Sequence, residues 1–369
     1  MLLKDLSINN KGYYGIGASS CSFNCNFPQY LRITDIDDFG FVNNLNCSIN
    51  PNEYPDYNKY FLSKYDIVFA RTGNSAGRNY MYLGDEKKVV FAGFLIKFSI
   101  DPDKVNPLYV KYFCQSNKYW NNIQEIFTGS TRPNINEKTF SMLDIPLVSA
   151  ELQQHIVDII GSLDDKIENN NKIIEKMNNL LNVKTNELLL CKTKKIQLND
   201  IIEECKEKSE IELVPYSVIN TGKVIIQNEQ FNKEIAKNTK GKYKKIKKDY
   251  FVYNPSRINI GSIGVMEDEI GCVSPIYVVF KCIEEYKIYL QQLLTFDSMI
   301  KEINKRCSGS VRQALSFNDL CSIEIYDIEK EKLKIYNKYC DSIIRITKKL
   351  EQENKLLENQ KKLYLTKFF

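Results

Sequence analysis

The chain holds a single histidine among 369 residues, and its eleven cysteines include no C-x2-C pair; the nearest spacing is Cys21-x3-Cys25. A Cys/His zinc site needs paired ligands at short spacing, so no metal is expected. His155 falls outside the apolar seam of a helical stretch, the place of a solvated side chain and not of a catalytic base. There is no G-x4-G-K-[ST] loop and no Gly-rich cofactor loop between a strand and a helix, which argues against a P-loop motor and leaves no cofactor expected. No uninterrupted apolar run approaches a membrane span, and Met1-Leu2-Leu3-Lys4-Asp5-Leu6 lacks the apolar core of a signal peptide. The expectation is a cytoplasmic protein with free thiols and no membrane partner. Charge of one sign is scarce as well: 51 Lys and Arg against 46 Asp and Glu leave a net +5, a weak argument for nucleic acid by itself.

What is present is a duplication. Phe127-Thr128-Gly129-Ser130-Thr131-Arg132 and, after a short link, Phe140-Ser141-Met142-Leu143-Asp144-Ile145 read in register with Cys307-Ser308-Gly309-Ser310-Val311-Arg312 and Leu320-Cys321-Ser322-Ile323-Glu324-Ile325. Each copy leads into a long charged helical stretch. The period is far too long for a solenoid. Two similar working surfaces in approximate two-fold relation suit a partner that is itself two-fold, such as duplex DNA.

Length and a 43% hydrophobic content allow two ordinary cores. The expected organisation is a mixed α/β domain over 1–149, a long helix over 150–191, a second mixed α/β domain over 192–327 and a second long helix over 328–369. In the first domain, 65–70 and 89–98 read as buried strands and 107–122 as a helix; in the second, 250–253 and 273–280 correspond to those strands. Heptads place Ile160, Ile167, Ile174, Leu181 and Leu188 on one row of the first long helix, with Ile156, Leu163, Asn170, Met177 and Lys184 on the other. The second helix has Tyr336, Ile343, Leu350, Leu357 and Tyr364, then Tyr339, Ile346, Glu353 and Gln360. Each stripe needs a partner. An antiparallel coiled coil within the chain preserves the pseudo-two-fold, with the alternative that the helices pair between molecules.

The order of several motifs over nearly the whole chain resembles the specificity subunit of a type I restriction-modification system. They are Tyr30-Leu31-Arg32-Ile33-Thr34-Asp35-Ile36 and Asp66-Ile67-Val68-Phe69-Ala70-Arg71-Thr72-Gly73 in the first domain, and Tyr253-Asn254-Pro255-Ser256-Arg257-Ile258-Asn259-Ile260-Gly261-Ser262-Ile263-Gly264 with Val273-Ser274-Pro275-Ile276-Tyr277 in the second. The junction Gly129-Ser130-Thr131-Arg132-Pro133-Asn134-Ile135 and Ile145-Pro146-Leu147 before Glu151-Leu152-Gln153-Gln154 belong to the same pattern. The second junction departs from it, with Ile325-Tyr326-Asp327 and Glu331-Lys332-Leu333. The resemblance implies two target recognition domains, separated by two long helices, that each read half of a bipartite site in double-stranded DNA. It also implies a non-catalytic chain that binds two methyltransferase subunits and, with them, a restriction subunit.

Reading bases requires forked donors or amides on loops beside a rigid sheet. Arg71, Thr72, Asn74, Ser75 and Arg78 meet this demand after the first-domain strand, and Tyr253, Asn254, Ser256, Arg257 and Asn259 after the second; the alternative is a tight turn that only joins strands. Ser130, Thr131 and Arg132, with Ser310 and Arg312, share a position that suits phosphate contact or anchoring of each domain to its helix. Between 233 and 248 stand eight lysines and one acid, Glu234. With Lys242, Lys244 and Lys245 as its contacts this run reads as a phosphate-binding loop, or else as a solvated one. Tyr13-Tyr14 is a possible aromatic platform. No catalytic residue is expected. Asn254-Pro255-Ser256-Arg257 is similar to the Asn-Pro-Pro-aromatic signature of amino-methyltransferases but has Arg257 at the aromatic position. Glu285-Tyr286-Lys287 and Glu204-Cys205-Lys206 lack a partner Asp for a nuclease site. The competing readings are a single-chain adenine methyltransferase and a coiled-coil scaffold without DNA contact.

Overall fold

A computed structural model of the chain describes residues 1–42, 45–84, 88–127, 134–190, 194–227, 239–307 and 314–369. They form two compact units, Met1–Asn170 with Gln352–Phe369, and Asn171–Glu351.

The first unit contains β1 (Tyr13–Tyr14), β2 (Cys21–Ser22), β3 (Gln29–Leu31), β4 (Cys47–Ser48), β5 (Asp66–Ala70), β6 (Asn79–Met81), β7 (Val89–Phe91), β8 (Leu95–Ser99), α1 (Pro107–Phe113), α2 (Asn117–Phe127), α3 (Glu137–Ser141) and the start of α4 (Ala150–Leu190). One sheet has the order β1-β8-β5-β6; the other is β2-β4-β3-β7, with β3 and β7 parallel. Strand β5 reads as an unbroken apolar run because both its faces are covered. Ile67 and Phe69 pack with Phe98, Tyr119 and Phe140, while Val68 and Ala70 pack with Leu31 and Phe91. Its one charged residue, Asp66, is buried but fully engaged: it accepts from the Ser63 N–H at 2.8 Å and the Ser99 hydroxyl at 2.5 Å, and pairs with Lys97 at 2.9 Å.

The single strand expected over 89–98 is two strands in different sheets. The chain turns at Ala92-Gly93-Phe94, where the Leu95 N–H donates to the Ala92 carbonyl at 2.8 Å. Both strands are buried, so hydrophobicity runs through the turn and conceals it. The expected helix over 107–122 is likewise two. Asn106 caps α1 by accepting the Leu108 N–H at 3.0 Å, ahead of Pro107, and the Ser116 hydroxyl accepts the Tyr119 N–H at 3.3 Å to start α2.

The second unit contains the end of α4, then β9 (Lys195–Gln197), β10 (Ile202–Glu204), β11 (Pro215–Val218), β12 (Val224–Ile226), β13 (Lys244–Lys247), β14 (Phe251–Tyr253), β15 (Ile263–Val265), β16 (Ile270–Val273), β17 (Val278–Cys282), α5 (Lys287–Leu293), α6 (Asp297–Arg306), α7 (Phe317–Cys321), β18 (Glu324–Tyr326) and the start of α8 (Lys330–Phe368). Its sheet β10-β17-β14-β15 repeats the order β1-β8-β5-β6. In β12-β11-β16-β13 the parallel pair β11 and β16 matches β3 and β7, and β13 occupies the place where Phe61 bridges Val90 in the first unit. The strand expected over 273–280 again proves to be two, split at Ser274-Pro275-Ile276-Tyr277. Pro275 has no N–H to give a ladder, and the Tyr277 N–H closes a turn on the Ser274 carbonyl at 3.0 Å.

Within each unit α4 and α8 pair antiparallel. In the first, Asp164 meets Lys361 at 2.6 Å and Asn170 meets Asn354 at 2.9 Å; in the second, Lys184 lies 5.6 Å from the Tyr339 ring and the Thr185 and Tyr336 hydroxyls are 2.7 Å apart. Partner numbers fall along α8 as they rise along α4. On α8 the rows expected at Tyr336, Ile343 and Leu357 are buried, but the companion row is displaced by one residue. Cys340, Asn354 and Lys361 are buried and Thr347 is half-buried, whereas Tyr339 and Ile346 are exposed. On α4, Thr185 is buried beside the expected Lys184, which turns out to an ion pair with Glu187 at 2.7 Å. Thr185, Asn354 and Lys361 take these places because partners await them, whereas the buried Thr347 hydroxyl has none among the described residues. The Thr185 hydroxyl, for example, also donates to the Leu181 carbonyl at 2.8 Å.

Candidate nucleic-acid interface

Each unit carries the same hairpin. Ile67 pairs with Met81 and Phe69 with Asn79, as Phe251 pairs with Val265 and Tyr253 with Ile263. The Ala70 N–H donates to the Arg78 carbonyl at 2.7 Å, and the Asn254 N–H to the Ser262 carbonyl at 3.0 Å. The Arg71 carbonyl accepts the Ile135 N–H at 2.8 Å, as the Pro255 carbonyl accepts the Leu315 N–H at 3.1 Å. Near the end of each loop a glycine adopts φ of 91° at Gly77 and 90° at Gly261, a conformation costly for other residues. Loops 71–78 and 255–262 therefore occupy equivalent places and are closed by equivalent hydrogen bonds at their ends, but differ in side chains and in the backbone between, with Arg71 matching Pro255 and Gly73, at φ 67°, matching Arg257, at φ −138°. One scaffold presents two chemistries.

In the first unit the Arg71 guanidinium lies 4.9 Å from the centre of the Tyr14 ring and donates to Asn134 Oδ1 at 3.1 Å. The Tyr14 hydroxyl accepts the Glu137 N–H at 3.1 Å. Glu137 in turn accepts the Gly12 N–H at 2.8 Å and the Ser141 hydroxyl at 2.7 Å. Partial burial works against its charged form, but these two donors outweigh it and hold the carboxyl below its ordinary range. Thr72 bridges Asn134, Asn74 is exposed and Ser75 half-buried. Arg78, expected to face DNA, points elsewhere: its Nε donates to Asp38 at 2.7 Å and its Nη1 to the Ile36 carbonyl at 3.1 Å. Asp38 gave no signal in the sequence. The sequence reads Tyr14 with Tyr13 as an aromatic platform, whereas Asn134 stands in a junction motif without an assigned role.

In the second unit Asn254 Oδ1 accepts the Ser256 N–H at 3.1 Å and its carbonyl accepts the Arg257 N–H at 3.0 Å. Asn254-Pro255-Ser256-Arg257 is thus a tight turn, with the Asn254 side-chain oxygen engaged in holding it. Ser256 and Arg257 are exposed and Asn259 is half-buried. Tyr253 is corrected out of the set. It is fully buried, equivalent to Phe69, and its hydroxyl donates to the Leu315 carbonyl at 3.3 Å, because β14 is covered on both faces.

Four described lysines of the run are committed within the unit. Lys244 donates to the Tyr277 carbonyl at 2.6 Å, and burial lowers its pKa; Lys245 pairs with Glu207 at 2.7 Å, Lys247 with Glu207 at 3.5 Å and Lys248 with Glu269 at 2.6 Å. Pairing of β13 with the edge of β16 brings these side chains to their partners. Lys242 is exposed on the preceding turn. Lys233 lies outside the described residues, as do Ser130, Thr131, Arg132, Ser310 and Arg312. Among the described residues no group of three or more His, Cys, Asp or Glu side chains could hold a metal ion, and no helix is long and apolar enough to cross a membrane.

Residues 4–179 match the family model of the type I restriction modification DNA specificity domain. The HindI type I restriction enzyme specificity subunit of Haemophilus influenzae is 32% identical over 157 residues, covering 40% of this chain and 33% of the relative. The match thus spans about a third of that curated protein's length. A crystal structure of the type I restriction-modification S subunit from M. genitalium aligns with 100% of this chain and 95% of its own at a TM-score of 0.59 and 14% identity, a likeness of fold. The likeness to the type I restriction modification DNA specificity domain is thus carried by residues 4–179.

Proposed function

We propose that this chain is the DNA sequence-recognition subunit of a type I restriction-modification complex, itself non-catalytic. Each α/β domain reads one half of a bipartite site in double-stranded DNA, and partner subunits carry out adenine methylation and restriction. The observation that carries this reading is the repeated hairpin: loops at equivalent places, closed by equivalent hydrogen bonds at their ends, bearing Arg71, Thr72 and Asn74 in one copy and Ser256, Arg257 and Asn259 in the other. A duplicated reader with divergent loop side chains recognises two different half-sequences, because phosphate contacts position while base contacts specify. The name of the H. influenzae relative supports the same role. The partners proposed are two methyltransferase subunits, docked mainly on the long helices, and a restriction subunit, in the cytoplasm.

The test is co-expression with the neighbouring methyltransferase subunit in a methylation-free host, with methyladenine mapped by long-read sequencing. A motif of two defined halves around an unspecified gap is expected. Absence of new methylation from a soluble, intact complex would overturn the proposal. Insertions or deletions within 169–187 of α4 are expected to change the gap and leave both half-sequences unchanged, since helix length then sets half-site spacing.

A further inference from the structure

Arginine distribution separates two loop residues from the rest. Among the described residues Arg32 pairs with Asp35 at 2.8 Å, Arg78 with Asp38 at 2.7 Å, Arg306 with Glu302 at 2.5 Å and Arg345 with Asp341 at 2.6 Å. Arg71 and Arg257 are the described arginines with no carboxylate partner among the described residues. Both lie in the equivalent hairpin loops. Among the described residues, each copy of the repeat thus presents one guanidinium without a carboxylate partner where its sheet ends.

A phosphate contact asks only for charge, whereas reading guanine O6 and N7 asks for a planar fork of paired donors. The Arg71 plane lies with its face on Tyr14 and one Nη2 hydrogen on Asn134, and its Nη1 hydrogens and second Nη2 hydrogen have no partner among the described residues. Its Nε is buried and has no partner among the described residues, so the outward edge is the one on offer. Arg257 is exposed and follows the Asn254 turn, which sets its backbone and leaves the guanidinium free of ring and carboxylate among the described residues.

Resting on the reading of this chain as a DNA recognition subunit, we propose that Arg71 and Arg257 determine specificity, each reading a guanine in the half-site of its own domain. Because Arg257 matches Gly73 and not Arg71, the two guanines occupy different places in their halves.

The experiment maps methyladenine motifs for the full chain, Arg71→Lys and Arg257→Lys, each co-expressed with the methyltransferase subunit. Lysine keeps the charge and removes the planar fork, so the variants fold and retain phosphate affinity. Arg71→Lys is expected to relax one guanine position in one half by roughly 5- to 150-fold in discrimination, and Arg257→Lys one guanine position in the other half. If either variant keeps the wild-type motif while its alanine counterpart weakens methylation evenly across sequences, the residue is a phosphate contact and the inference is overturned. A wild-type motif with a half lacking guanine overturns it equally. If the wild-type complex yields no two-part motif, it is the parent reading that fails.

Discussion

The side-chain amide of Asn170 on α4 donates to the amide oxygen of Asn354 on α8 at 2.9 Å, within an otherwise largely apolar seam. A polar pair at such a place costs stability and fixes register. Asn170→Leu removes the donor and is expected to lower stability by about 1–3 kcal/mol. Replacing both residues with leucine is expected to restore wild-type stability or exceed it. Chemical unfolding of the three variants checks this, and additive losses would refute it.

Asp164 has a different standing. It joins Lys361 at 2.6 Å, Lys111 at 3.4 Å and the Tyr112 hydroxyl at 3.2 Å, all with little exposure. Asp164→Ala leaves two nearly buried ammonium groups without their carboxylate and is expected to cost about 3–5 kcal/mol. Burial already lowers the Lys361 pKa from 10.5, against the pull of Asp164, and loss of the carboxylate lowers it further. The unfolded chain then binds more protons between the lowered pKa and 10.5, so stability rises with pH through that window. The deficit of Asp164→Ala is therefore expected to shrink as pH is raised, read from unfolding curves at several pH values.

Glu137 supplies the opposite sign. Its folded pKa lies below the usual 4.5, so its contribution is present above that value and lost as pH falls through the folded pKa. Glu137→Gln is expected to destabilise the protein at neutral pH and to approach the wild type in acid. A constant difference across that range would contradict the assignment.

Gly77 and Gly261 mark the two hairpins. A Cβ on Gly77 would stand 2.7 Å from Ile123 Cγ2, and one on Gly261 would stand 2.5 Å from the Asn220 carbonyl oxygen, each at positive φ. Alanine at either position is expected to cost more than about 1 kcal/mol. The larger loss belongs to Gly261, where the obstacle is backbone and cannot rotate away. Unfolding of the two single variants gives the order.

Arg78 is expected to matter for the fold of its loop and not for the bases read. Arg78→Ala removes the partly exposed pair with Asp38 and the bond to the Ile36 carbonyl, a loss of roughly 1 kcal/mol. The methylated motif should stay unchanged. A changed half-site would return Arg78 to the reading surface.

The duplication, the two α/β domains and both long helices were legible in the chain because each rests on a local signal: a repeated motif, a buried apolar run, a sustained heptad. The seam was legible where it is apolar. Ile156, Ile160, Leu163, Leu181 and Leu188 are buried as their hydrophobicity dictates, whereas Thr185, Asn354 and Lys361 are buried because partners distant in sequence satisfy them. Strand breaks at Ala92-Gly93-Phe94 and within 274–277 stayed hidden, since two strands buried in different sheets share one hydrophobic profile. The same limit governs the candidate interface. Sequence placed arginines, serines and asparagines after a strand in each domain. Only tertiary structure decided that Arg78 is held by Asp38, that Tyr253 belongs to the core, and that Arg71 lies on Tyr14, because a side chain's direction depends on neighbours that the fold brings from elsewhere in the chain.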